Sequence, residues 1–517
     1  MQYNATRQFF RNIRNLFRNI RESMVRHGRP TSDRARTQTV VQNFFLHIHP
    51  ARTHKHSLKW SATMGLGIIT TVLFLILVVT GVLLMLYYKP SVETAYQSVK
   101  DIQYVVPTGR LIRNIHRWSA HGMVVLVILH MARVFYTSAY KQPREFNWVL
   151  GMILLVLTLA LSFTGYLLPW DQLAFWAVTI GSSIAGSPRD LTDALGLTQY
   201  IDPGGFIREI LLGAHFVGEE ALIRFFTLHV IVLPFALATV LGVHFWRIRR
   251  DGGLVRPGSA DPPAPEDNVS PEGAPTKSFG LMAVIRERTP ATDRLIENTV
   301  PSWPRVFRIE AILTMLVLLV VIVLSLRLDA PLSEHANPAV PENPAKAPWY
   351  FLALQELVSY SAFGGGIIIP GVIMVGLFLI PYLEREEEDA GIWFSGRQGR
   401  RIAAVSVVYA TIVGIGMLAF TVNFGWLRDW LPDLTQEYAK TTQLVIMLFN
   451  PGMVYVAACA IWSLGLLRFT NSTRMASIGL FTCSLVLFII LTYFATVHRG
   501  PNWGFYWSKA DWPVVEH

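Results

Sequence analysis

The sequence predicts an all-α integral membrane protein. Three observations carry that reading: the share of apolar residues, the length of the apolar runs, and the histidines that recur inside some of them. Of 517 residues, 52% are hydrophobic and 15% charged, against about 25% charged in a typical soluble domain. Nine runs approach the ~20 residues needed to cross ~30 Å of hydrocarbon: 62–87, 118–138, 148–168, 228–246, 308–326, 366–383, 402–424, 441–464 and 475–496. Spans of this kind are helices, because lipid offers no partner to an open backbone N–H or C=O.

Ahead of the first span, "RQFFRNIRNLFRNIRESMVRHGR" is basic, with Phe10, Ile13, Phe17 and Ile20 at helical spacing. It reads as an interfacial helix on anionic lipid and not as a nucleic-acid arm. The positive-inside rule puts this segment, "YKQPRE", "RIRRDGGLVR" and "GRQGRR" on one side, so the N-terminus is expected in the cytoplasm of a bacterial inner membrane. The opposite side holds the longer loops 169–226 and 327–365, and with nine spans the C-terminal tail lies there too. The two cysteines, Cys459 and Cys483, fall in late spans. This excludes a Cys-ligated iron–sulfur cluster or a CxxCH haem attachment within the chain.

The second span carries His116 and His130, 14 residues apart. At about 100° per residue they lie 40° short of four full turns, so they share a face roughly 21 Å long. The fourth span carries His229 and His244, 15 apart and again close to one face. The two spans run in the same direction, which pairs His116 with His229 near the outer side and His130 with His244 nearer the inner side. The first and third spans hold glycines at the matching period instead, Gly67 with Gly81 and Gly151 with Gly165. Glycine lets a flat macrocycle approach a helix closely. Two histidine helices facing two glycine helices describe a four-helix haem-binding bundle with two non-covalent b-type haems. Imidazole on both faces leaves iron no open position, so such haems carry electrons. Arg113, Arg117 and Arg133 flank the ligands and suit haem propionates. His121 faces about 140° away and is expected to pack helices through a hydrogen bond.

These residues carry a family resemblance. "IHRWSA", "VILHMARV", "YKQPREFNWVLG", "TGYLLPWDQLAFWAV" and "RFFTLHVIVLP" resemble cytochrome b of the bc1/b6f superfamily, in its b6 branch. The resemblance divides the chain into a basic segment (1–57), a b6-like di-haem domain (58–250), a polar linker (251–300), a three-helix domain resembling subunit IV (301–430), and two extra helices with a tail (431–517). It implies quinol oxidation at an outer site between the third span, the 169–226 loop and 345–360. It also implies an inner quinone site, a Rieske iron–sulfur protein and a cytochrome c-type subunit as partners, a homodimer within a multi-subunit complex, and proton translocation.

Three departures from the family pattern stand out. The Pro-Glu-Trp-Tyr motif reads Ala347-Pro348-Trp349-Tyr350 here, so proline replaces the motif's glutamate, which points to menaquinol. Glu356, in the apolar stretch "WYFLALQELVSY", and Asp171, in "PWDQ", are the expected replacements as proton acceptor, since burial favours the protonated carboxyl. Gly65 stands where the b6 branch has its haem-linking cysteine, which argues against a covalent third haem. Finally, His47, His49, His54 and His56 precede the first span, where a solvated interfacial segment is favoured over a metal site or a proton relay to the quinone-reduction site. Two rival readings remain at this level: a haem-b anchor of a dehydrogenase, which lacks the "PWYF" segment, and a proton-coupled transporter, which predicts inverted repeats.

Overall fold

A computed structural model describes residues 14–15, 31–42, 49–251, 253–260, 298–386, 390–431 and 448–513. Residues 10, 13, 17, 20 and 47, and most of the polar linker, lie outside them. Among the described residues, nine helices are long and apolar enough to span a membrane. We label them α1 (Leu66–Met85), α2 (Gly109–Tyr136), α3 (Glu145–Leu167), α4 (Glu219–Arg250), α5 (Ser302–Arg327), α6 (Gly364–Leu383), α7 (Arg397–Phe424), α8 (Pro451–Thr470) and α9 (Thr473–Val497).

Several boundaries differ from those expected of the sequence; α4 starts at Glu219 instead of 228 and α5 at Ser302 instead of 308. Helix α2 begins at Gly109, well before 118, because the polar turns bearing Arg110, Arg113 and Asn114 are helical above the apolar stretch. Helix α8 begins at Pro451, not 441. Asn450 caps it, its side chain accepting from the Met453 N–H, and proline occupies the first position, where its missing N–H costs nothing. Residues 441–447 lie outside the described part.

The loops gather at two ends. At the basic end, Arg52–His54 pairs antiparallel with Thr299–Pro301, joining the segment before α1 to the start of α5. At the other, loop-rich end, the Tyr88 hydroxyl donates to the Leu168 carbonyl, Tyr96 to Ser333, and Gln172 to Val340. The surface helix Gln172–Gly186 lies there.

The packing does not respect the segment boundaries. One core, around Leu73, Phe74, Met123, Leu237 and Val321, fills the first four helices and is closed by α5. A second joins Phe135, Trp148 and Met152 of the bundle to Ile402 of α7 and Ile478 and Phe481 of α9. The last helix is thus central, and a buried polar group fixes its start. Arg474 is wholly buried; it donates to the Tyr140 hydroxyl at 3.0 Å and to the Phe135 carbonyl at 2.9 Å. Tyr140 in turn donates to Glu384, which also meets Lys141 at 2.9 Å.

Candidate functional site

Each glycine singled out in the sequence faces one of the singled-out histidines. A Cβ placed on Gly81 would lie 3.3 Å from Cε1 of His116, and one on Gly67 would lie 3.4 Å from Cε1 of His130. On the other side of the bundle, Gly165 meets His229 at 2.5 Å and Gly151 meets His244 at 3.9 Å. Two levels result: Gly81, Gly165, His116 and His229 toward the loop-rich end, and Gly67, Gly151, His130 and His244 toward the basic end.

The geometry of the first level fits a shared iron. The ring centroids of His116 and His229 are 6.2 Å apart. A metal bonded to both Nε2 atoms at the ~2.0–2.1 Å usual for imidazole would hold the centroids about 6 Å apart. Two threonines prepare the rings. The Thr80 hydroxyl donates to the Ile76 carbonyl and lies 2.9 Å from Nδ1 of His116; Thr164 donates to Ala160 and lies 3.1 Å from Nδ1 of His229. With each hydroxyl proton committed to a carbonyl, the imidazole Nδ1–H is the donor. That choice of tautomer leaves the Nε2 lone pair free for a metal. Sequence reasoning missed these threonines, although each directly precedes an outer glycine, as Thr80-Gly81 and Thr164-Gly165.

The 15-residue spacing on α4 also has a structural cause. On an ideal helix, 15 residues overshoot four turns by about 60°. Residues Leu228–Val232 form a single π-turn, closed by the Leu233 N–H donating to the Leu228 carbonyl. Pro234 has no N–H for the Val230 carbonyl, so the wider turn forms there. It absorbs one residue. His229 and His244 then behave as if 14 apart, like His116 and His130.

The three arginines divide. Arg113 donates to Gln103 and to the Ala330 and Pro331 carbonyls. Arg133 donates twice to the Ala62 carbonyl. Backbone carbonyls thus hold both of them. Arg117 differs: its Nε is buried with no protein partner, and its guanidinium sits 5.5 Å over the Tyr166 ring. Of the three, Arg117 best fits an absent carboxylate.

Beside this level lies an apolar pocket of about 220 Å³. Its walls come from α3 (Phe163, Tyr166), from the surface helix (Leu173 to Ile184) and from the segment 345–355. Thr164 and Gly165 face His229, while Phe163 and Tyr166 on either side of them face the pocket. One turn of α3 therefore separates the two sites.

Of the residues expected at a quinol site, only Pro348 lines this pocket. Trp349 turns away and donates to Nδ1 of His121 at 2.9 Å, which gives His121 the packing role expected of it. The Tyr350 ring packs on His121 and Phe351. Asp171 caps the surface helix by accepting from the Ala174 N–H, and it also accepts from the Ser333 N–H. Glu356 requires a correction. It is wholly buried, but not among apolar groups: Arg499 donates to both of its oxygens, and Tyr360 and Trp503 add one bond each. The residue that secures the pocket loop is Gln355, which sequence reasoning passed over. It donates to the Ala345 carbonyl and accepts from the Ala347 N–H.

The histidines before α1 do not form a metal centre among the described residues. His49 pairs with Glu310 of α5 at 2.8 Å, and Nδ1 of His54 accepts from the His56 N–H.

Comparison with known proteins identifies relatives of this chain. Residues 53–252 match the family model "Cytochrome b/b6/petB". Cytochrome b6 of Prochlorococcus marinus (strain AS9601) is 44% identical over 187 residues, 36% of this chain and 80% of that protein. Cytochrome b6 of Heliobacterium mobile is 44% identical over 204 residues, 40% of this chain and 88% of that protein. A chain of a solved "Hyperthermophilic respiratory Complex III" shares the fold, with a TM-score of 0.54 at 23% identity over 86% of this chain and 93% of that one. Fold and site together define a membrane electron-transport protein. The chain belongs to the cytochrome b family of the bc1/b6f superfamily, and membership implies b-type haems.

Proposed function

We propose that the chain is the di-haem cytochrome b subunit of a quinol:cytochrome c oxidoreductase. The observation that carries this is the turn Phe163–Tyr166, which serves the His229 level on one face and the apolar pocket on the other. A quinol in the pocket would sit next to an electron acceptor, as oxidation in single-electron steps requires.

In this reading His116 with His229, and His130 with His244, hold one haem each, and the four glycines give them room. Bound haems supply reversible one-electron transfer across the membrane. Arg117 neutralises a propionate. The pocket takes the quinol ring between Phe163, Tyr166 and Phe351, in walls that exclude water. Oxidation releases two protons at the loop-rich end, read as the outer side, and two electrons. One electron goes to an external Rieske iron–sulfur protein and on to a cytochrome c. For the other, the haems that His116 with His229 and His130 with His244 would hold would supply a path toward quinone near the basic end. The basic end then faces the bacterial cytoplasm, the N-terminus with it, and turnover contributes to proton translocation in a dimeric complex. Pro348 in the motif position favours menaquinol. Asp171 and Glu356 are both held in hydrogen bonds of structural kind.

Potentiometric titration of the reduced-minus-oxidised spectrum tests the assignment. Native protein should titrate as two b haems. His116→Ala or His229→Ala should remove one of them, and His130→Ala or His244→Ala the other. Retention of both haems in any of these variants refutes the ligand set.

A further inference from the structure

The two C-terminal helices and the tail lie outside residues 53–252, the stretch that matches the family model. The structure ties this region to the pocket at three points. Asn343 and Asn502 bond reciprocally, the Asn343 Nδ2 donating to Oδ1 of Asn502 at 2.9 Å and the Asn502 N–H donating to Oδ1 of Asn343 at 2.6 Å. The Lys346 ammonium donates to the Thr496 carbonyl, in the last turn of α9, at 2.8 Å. Arg499 donates from Nε to Oε2 of Glu356 at 2.9 Å and from Nη2 to Oε1 at 2.5 Å, and Trp503 adds its indole N–H to Oε2 at 3.0 Å.

These anchor points bracket one stretch of chain. Seven of the fourteen residues lining the pocket fall between Asn343 and Glu356. Gln355, which clamps Ala345 and Ala347, is the immediate neighbour of Glu356. Glu356 is fully buried and Arg499 is 9% exposed. A carboxylate in that position stays only while its cation is present, since removing one partner of a buried pair strands the other. The position of Glu356, and through Gln355 that of half the pocket wall, is thus coupled to an arginine in the tail.

We infer that the C-terminal tail is part of the substrate site, with Arg499 a positioning residue that sets the pocket wall through Glu356. The inference rests on the quinol reading of the pocket. Arg499 touches no pocket surface itself. Its effect is on where the residues from Ala345 to Gln355 stand, and a displacement of about 1 Å at such a wall can cost 10²-fold.

The test uses the purified native complex with menadiol as the quinol, and compares Arg499→Gln, Arg499→Lys, Trp503→Phe and the double variant Arg499→Gln/Glu356→Gln. Arg499→Gln should lower kcat/KM by roughly 10²-fold, mostly through KM, with both haem absorbances intact. Arg499→Lys keeps one charged contact and should restore part of the loss. The double variant removes the stranded carboxylate and should exceed Arg499→Gln in kcat/KM. Trp503→Phe keeps an aromatic ring, deletes one donor, and should raise KM about threefold or more, a fraction of the worth of one charged hydrogen bond; it decides the matter if Arg499→Gln fails to assemble. An unchanged KM in Arg499→Gln or Trp503→Phe overturns the inference, and so does loss of haem in step with activity, which would mark a role in folding alone. Native complex that binds haem but does not oxidise menadiol refutes the quinol reading itself and takes the inference with it.

Discussion

Replacing Gly165 with alanine is a sharp test of the glycine–histidine pairing, because the structure ranks the four positions. The added methyl would stand 2.5 Å from Cε1 of His229, 3.0 Å from Nε2 and 3.1 Å from Nδ1. It therefore meets the whole ring edge, not one flexible atom. Restoring an ordinary contact near 3.5 Å requires the ring to retreat by about 1 Å, and that movement strains the 3.1 Å contact to Thr164. At Gly151 the corresponding methyl would sit 3.9 Å from His244, an ordinary contact. Overpacking of this kind costs roughly 1–3 kcal/mol, so haem affinity at the Gly165 level should fall by about 5- to 150-fold, while Gly151→Ala should keep both haems. Gly81→Ala and Gly67→Ala, at 3.3 and 3.4 Å, should fall between. Pyridine haemochrome content and potentiometric titration of each variant measure the order. Full haem content in Gly165→Ala, or loss in Gly151→Ala with Gly165→Ala unaffected, would refute the reasoning.

Further expectations follow from other parts of the molecule. Thr164→Val keeps the shape but removes the acceptor for Nδ1 of His229; the weakened ligand should shift the midpoint potential of one haem only, and identical titrations for variant and native protein would count against the tautomer. Gln355→Ala frees Ala345 and Ala347, so KM for menadiol should rise severalfold, by the worth of one or two hydrogen bonds, with haem spectra unchanged; an unaltered KM would remove Gln355 from the pocket's support. Burial pushes the Glu386 carboxyl up, but hydrogen bonds from Ser472 and Thr473 at the start of α9 outweigh it and hold it below the usual range. With the folded value depressed, its contribution is complete above the unfolded value of about 4.3 and is lost as pH falls through the folded one. Hydrogen exchange in the first turn of α9 should accelerate over that acid range in native protein, and Glu386→Gln should abolish the change.

The parts of this molecule that the sequence discloses are those with a period. Residues 14 apart have to share a face on any helix, so His116 with His130, Gly67 with Gly81 and Gly151 with Gly165 are legible from spacing, while the 15 residues from His229 to His244 need the π-turn as well. His121 is legible for the same reason, through its angle from the histidine pair, whereas Gly65 and Pro348 stand out only by the family resemblance. The features that spacing leaves hidden are set by contacts between remote segments. Glu356 is 143 positions from Arg499, and nothing in "WYFLALQELVSY" announces a cation; the stretch looks apolar because its partner is elsewhere. Arg113 and Arg133 share a residue type with Arg117, and only the carbonyls of Ala62, Ala330 and Pro331 tell them apart. The segment boundaries mark changes in composition, whereas the cores form across them, Phe135 stacking on Phe481 with ring centroids 4.1 Å apart.

The π-turn at Leu228–Val232 has a consequence for how such chains tolerate change in length. Counting residues and counting degrees diverge there: α4 carries one more amino acid than its two histidines need, stored in the π-turn just ahead of Pro234. Helix α6 has the same construction, a π-turn at Gly364–Ile368 followed by Pro370. At such places a single-residue deletion can be accommodated by tightening the turn, with both flanking surfaces keeping their direction. Helix α3 has no such reserve. One residue more or fewer between Gly151 and Gly165 would swing everything beyond it by about 100°, turning Phe163 and Tyr166 out of the pocket and Gly165 away from His229 together. Length variants engineered into this chain should therefore survive in α4 and fail in α3, though the two helices pack side by side.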